Sequence, residues 1–169
     1  MSESNLGARG FLFIAATVYL SYILMLIPMD GWTAYVRPDW TMLVVLFWAQ
    51  AYSSQVGLRF ALLTGILLDV LLGQMLGTYA LGLVVIFYLQ LLLNQRYRVL
   101  SIFQQIIRVF CFSVLYFLIV RLLQSLLGDV LPMTWAYWLP ILSNIIIWPW
   151  LYLLMEYFKS VFRLHEYNG

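Results

Sequence analysis

The sequence predicts an all-α integral membrane protein, a bundle of six transmembrane helices, and three observations carry that prediction. Of 169 residues, 64% are hydrophobic and sixteen are charged, nine Lys or Arg and seven Asp or Glu. Ordinary soluble domains carry roughly a quarter charged residues, so this composition cannot build a water-facing surface. Charge-free runs extend over 10–29, 40–58, 70–95 and 130–155. Each run approaches or exceeds the ~20 apolar residues that cross a bilayer. Proline, glycine and polar clusters divide the chain between and within the runs at positions that suit helix ends.

The first span is read at 11–27, ended by Pro28 and preceded by Arg9. No small-x-small cleavage site follows it, so it is expected to be a retained span and not a removed leader. Pro38 opens the second span, 38–56, since proline suits a first helical turn where its missing N–H would be unpaired anyway. Residues 59–93 are too many for one crossing, and the glycines at 73 and 77 supply a turn. Spans of 58–73 and 78–93 result. Leu100, Phe103 and Ile107 at helical spacing suggest a segment lying in the interface before a fifth span at 105–127. Gly128, Asp129 and Pro132 make a short loop before the sixth span, 135–157, where Pro140 and Pro149 predict kinks. The whole chain, 1–169, reads as one helical membrane domain without repeats.

Six crossings place both ends on one side. Arg9, Arg59, Arg96, Arg98, Arg108, Lys159 and Arg163 then flank one face while Arg37 alone flanks the other. The positive-inside rule makes the basic face, and hence both termini, cytoplasmic. Trp32, Tyr35, Trp40, Trp135, Tyr137 and Trp138 fall at the opposite boundary, as interfacial aromatics do. Scattered arginines and a net charge of +2 exclude the clustered basic surface of nucleic-acid binders. Cys111 is the single cysteine and lies in an apolar stretch, which excludes an internal disulfide or thiolate cluster.

Asp69 is the acid that sits well inside an expected span, where ionisation at the bilayer centre would cost about 2.5–3.5 kcal/mol. Gly65, Asp69 and Gly73, spaced i, i+4, i+8, share a helix face that lets another backbone approach. Asp69 could line a binding or transport site, or lock helices together through an interhelical hydrogen bond. At 1.5 Å per residue it lies about 6 Å below the outer helix end, and Arg121 about 9 Å below its own. Contact with Arg121 or Arg37 is therefore expected. Arg108 is expected to snorkel to the headgroups. Arg37, Pro38, Asp39 and Trp40 form a charge, a helix starter, a first-turn acid and an interfacial anchor in succession. Trp148, Pro149 and Trp150 make a kinked aromatic segment suited to packing or to a groove facing a partner. Gln104, Gln105 and Asn144 add amides that bond neighbouring helices. The single His165 lies in the terminal tail, and no HExxH, Walker loop or facing carboxylate pair is present. The expectation is a protein that is not an enzyme, with no catalytic residues, cofactor or metal.

These residues resemble a known family. Arg37-Pro38-Asp39-Trp40, Gly65 through Asp69 to Gly73 and Gly77, Gln104-Gln105, and Trp148-Pro149-Trp150 are similar to the pattern of MreD, the bacterial rod shape-determining membrane proteins, across nearly the full length. Arg121 is outside that pattern. The resemblance implies a multi-pass, non-enzymatic inner-membrane subunit of the elongation machinery, partnered by the single-span MreC and working with MreB, RodA and the elongation transpeptidase. Docking of the MreC span on a lipid-facing groove is the mechanism it implies, and the basic Arg96 and Arg98 suit contact with anionic lipid or with a cytoplasmic partner, lipid being the plainer choice. The family also resembles the S-components of energy-coupling-factor transporters. That likeness supplies a fold expectation and an alternative function, binding of a small molecule or service as a transporter subunit.

Overall fold

The structure, a computed structural model, describes residues 8–52, 56–94, 101–126, 128 and 134–161. Its helices are α1 (Ala8–Leu26), α2 (Trp40–Ala51), α3 (Leu58–Leu71), α4 (Thr78–Asn94), α5 (Ile102–Leu126) and α6 (Leu139–Val161). Short 3-10 segments, Gly31–Val36 and Trp135–Trp138, precede α2 and α6.

Helix α2 is the axis of the fold. Its residues from Thr41 to Ala49 are all buried, which accords with a sequence apolar on every side. Helices α1, α4 and α6 pack directly on it. A surrounding ring follows as α3 packs on α4, α4 on α5 and α5 on α6, while α1 touches α3. Phe13 of α1 approaches Phe158 of α6 at 6.3 Å between ring centroids. The Trp48 indole N–H donates to Thr17 Oγ1 at 2.9 Å, and the Tyr22 hydroxyl to the Thr64 carbonyl at 2.8 Å, tying α1 to α2 and α3.

Helices α3 and α4 approach one another closely. A methyl group on Gly65 would overlap Ala80 Cα, so glycine is what permits this separation, as small residues do at membrane helix interfaces. Farther along α4, a methyl on Gly82 would lie 2.8 Å from the Tyr116 ring of α5. One face of α4 thus accepts α3 and another accepts α5 through missing side chains.

Several helix ends differ from their sequence reading. Helix α2 begins at Trp40, with Asp39 as its cap and Pro38 outside the helix, because the Asp39 carboxylate accepts from the Met42 N–H. The helix ends at Ala51, and 53–55 lie outside the described residues. No separate interfacial helix precedes α5 among the described residues. Ser101 instead caps it, with the Gln104 N–H donating to Ser101 Oγ and the Ser101 N–H to Gln104 Oε1. That reciprocal pair is a capping box, which starts α5 at Ile102. Pro140 falls in the first turn of α6, where its missing N–H costs no intrahelical hydrogen bond, and Pro149 alone lies in the helix interior. Arg96, Arg98, Asp129, Pro132, Arg163 and His165 lie outside the described residues.

Candidate functional site

Among the described residues two carboxylates are buried in this apolar bundle, and each caps a helix N-terminus. The first belongs to Asp39, 3% exposed. Its Oδ1 accepts from Met42 N–H at 2.9 Å, while its own N–H donates to Asn144 Oδ1 at 2.9 Å. Asn144, fully buried on α6, passes the connection on by donating to Ser113 Oγ of α5 at 3.2 Å. Ser143 Oγ donates to the Val36 carbonyl at 2.6 Å. Arg37 is stapled to the end of α1, its Nη2 donating to the Leu24 carbonyl at 2.7 Å. The buried Arg37 Nε has no hydrogen-bond partner. Burial pushes the guanidinium below its usual range, an effect opposed by the Asp39 carboxylate. Tyr116 is fully buried in the field of that same carboxylate, its hydroxyl without a partner of hydrogen-bonding geometry.

The sequence placed Asp39 at the membrane boundary with Trp40 as its anchor. The structure places Asp39 beside Tyr116 and joins it through Asn144 to Ser113, near the midpoint of α5. The reason is length. Helix α2 has 12 residues, about 18 Å at the α-helical rise, so its end lies well within the bundle. Asp39, and not Asp69 alone, is an acid deep in the molecule.

Asp69, 0% exposed, is the second. Its Oδ1 accepts from Tyr79 N–H at 2.7 Å, and its Oδ2 from Gly77 N–H at 2.8 Å and Ala80 N–H at 3.4 Å. The carboxylate reaches across the turn that follows α3 and caps α4. Neither guanidinium named from the sequence is among these partners. Arg121 lies 5.4 Å from the centroid of the Tyr137 ring, a cation–π contact. The depth argument located Asp69 and Arg121 at similar heights but did not count the free amides that every helix N-terminus offers. Gly73, at φ 64°, and Gly77, at φ 103°, supply the left-handed residues that fold the turn back onto Asp69.

The other candidates separate into two groups. Gln105 is buried and accepts from the Trp148 indole at 3.3 Å, which joins α5 to α6, and Trp148 is itself 1% exposed. Gln104 serves the α5 cap, and Trp150 is 76% exposed on the opposite face of α6 from Trp148. Arg37, Asp39, Asn144, Ser113 and Tyr116 are brought together, and Asp69 with Gly65 and Gly73 forms the neighbouring lock.

Residues not singled out from the sequence complete the arrangement. Asn94, one residue beyond the expected end of the fourth span and the last residue of α4, donates to the carbonyls of Ala49 and Gln50 at 3.0 and 3.2 Å and so caps the C-terminus of α2. Its Oδ1 accepts from Gln90 at 3.0 Å and Arg108 at 3.5 Å. Arg108 is thus turned inward to Asn94 instead of snorkelling outward. The signal available beforehand was the need of a buried helix for partners at both ends.

Chemically, this set binds helix ends. Amides meet carboxylates, carbonyls meet amide donors, and among the described residues no group of three His, Cys, Asp or Glu is placed to hold a metal ion. Among the described residues, two helical stretches, Ile102–Leu126 and Trp135–Val161, are long and apolar enough to cross a membrane. A bundle with an apolar exterior and with its polar groups turned inward upon one another belongs to the class of helical membrane proteins.

Within that class, the family model for rod shape-determining protein MreD matches residues 8–158. The chain is also 31% identical over 149 residues to the rod shape-determining protein MreD of Haemophilus influenzae, covering 86% of this chain and 90% of that one. The chain belongs to the MreD family, and its role is in determining rod shape. No solved structure matches it, so the likeness to energy-coupling-factor S-components gains no support.

Proposed function

We propose that this chain is a multi-pass, non-enzymatic docking subunit of the bacterial inner membrane, with both termini cytoplasmic. It receives the single span of MreC and through it helps organise peptidoglycan synthesis by MreB, RodA and the elongation transpeptidase. The observation that carries this reading is the use made of the polar groups: both buried carboxylates and the Asn94 and Asn144 amides are engaged with helix ends or with one another. Groups committed in this way rigidify a scaffold. The exterior that remains is a wall of aliphatic and aromatic side chains, against which another helix associates by close packing.

Photocrosslinkers placed at exposed positions on each helix test the reading in native membranes. Adducts with a single-span protein, concentrated on one groove, are expected. Adducts with lipid alone from every position would reject the docking role. Orientation is tested separately by membrane-impermeant labelling of cysteines near the two ends, with protection in intact cells expected for both.

A further inference from the structure

The six helices are unequal in a way that falls on one side of the molecule. Helix α5 has 25 residues and α6 has 23, about 38 and 35 Å. Helix α3 has 14 and α4 has 17, about 21 and 26 Å by the same rise. The hydrocarbon core of a typical bilayer is about 30 Å thick. A long helix adapts by tilting, but a short one has no such recourse.

Helix α3 is not withdrawn from the lipid. Leu58, Leu62, Leu63, Leu67, Val70 and Leu71 are all exposed and extend from its first turn to its last. Exposed Arg59 marks one limit of this apolar strip, and past Leu71 the helix gives way to the turn at Gly73 and Gln74, where Met75 and Leu76 are exposed. Nor is α3 free to slide along its neighbour to gain depth. The Gly65–Ala80 approach fixes its height against α4, and the Asp69 carboxylate is bonded to three amides at the α4 terminus. Short helix and short partner form one rigid unit.

We propose that the α3–α4 hairpin holds the adjoining bilayer thinner than the bilayer beside α5 and α6, so that this face works on lipid. The inference rests on the multi-pass reading given above. Headgroups are drawn inward to meet both ends of α3, leaving the chain with a thick side and a thin side.

Depth measurements with spin labels test this. In a Cys111→Ser background, single cysteines replace Leu58 and Leu71 at the two ends of α3, and Phe110 and Leu118 on the exposed face of α5. The full chain is reconstituted into phosphatidylcholine vesicles with myristoleoyl, oleoyl or erucoyl chains. Relative accessibility to oxygen and to a nickel chelate reports the distance of each label from the local headgroups. Labels at both ends of α3 are expected to stay at the headgroup boundary in all three lipids, while both α5 labels report hydrocarbon throughout. Progressive sinking of either α3 label with longer chains, with the α5 labels still in hydrocarbon, overturns the thinning proposal and leaves the multi-pass reading intact. Aqueous accessibility of the α5 labels in every lipid would overturn both. Each replaced residue is exposed, and a matching detergent-unfolding midpoint for all four variants verifies that the bundle is retained.

Discussion

At the residue scale, two acids that look alike in the sequence have related roles with different reach. Asp69 serves α4 through backbone amides, whereas Asp39 caps its own helix and reaches α6 and α5 through Asn144. Asp69→Ala would leave amide donors buried without an acceptor, which costs about 1–3 kcal/mol per group stranded. Unfolding in mixed micelles should show that loss, and Asp69→Asn should recover only part because a single carboxamide oxygen replaces two acceptors. For Asp39 the ranking of caps predicts a different result. Asparagine caps about as well as aspartate, and alanine costs roughly 1 kcal/mol, so Asp39→Asn should stay near the parent while Asp39→Ala falls below it. A large loss in Asp39→Asn would instead assign the work to the negative charge beside Arg37. Asp69 was legible as an acid inside a span, and Asp39 only as a first-turn acid that complements its helix dipole. Their partners were not, because hydrogen bonds to backbone amides leave no trace in side-chain spacing, and a search for an opposite charge passes over them.

At the element scale, the number and order of the helices could be read from the alternation of apolar runs with turn residues. Their ends were less legible. The run through Tyr52 continues past the last helical residue, Ala51, because an apolar stretch records solvent and not backbone hydrogen bonding. Ser101 and Gln104, by contrast, had the spacing of a capping box and would have fixed the start of α5. Asn94 offers a test of how far α2 depends on its neighbours. Asn94→Ala removes the donor from the Ala49 and Gln50 carbonyls, and hydrogen exchange should quicken in the last turn of α2 while its centre stays protected. At the α3–α4 contact, Gly65→Leu should destabilise by about 1–3 kcal/mol, the usual cost of overpacking, and should loosen the hairpin as judged by crosslinking between the two helices.

At the scale of the whole molecule, composition settled the solvent and the family resemblance settled the relatives, but neither indicated which helix lies at the centre. Hydrophobic runs of similar strength do not differ visibly between lipid-facing and protein-facing use. Enclosure of α2 appears only once the chain is folded, with Thr41 through Ala49 buried on all sides. Replacing the coupled pair tests whether the centre is held through its polar end. A double-mutant cycle on Asn144→Ala and Ser113→Ala should give a coupling of about 0.6 kcal/mol, typical of interhelical hydrogen bonds in membranes. The enclosure also bears on biosynthesis. Helix α2 emerges from the ribosome before α3, α4, α5 and α6, so until those arrive Asp39 has neither Asn144 nor Ser113 nearby and the axis of the bundle is walled by α1 alone. Its final seat is therefore taken late, and a chain interrupted before α6 would leave Asp39 with the Met42 amide of its own helix but without the Asn144 bridge that fastens the axis to the wall.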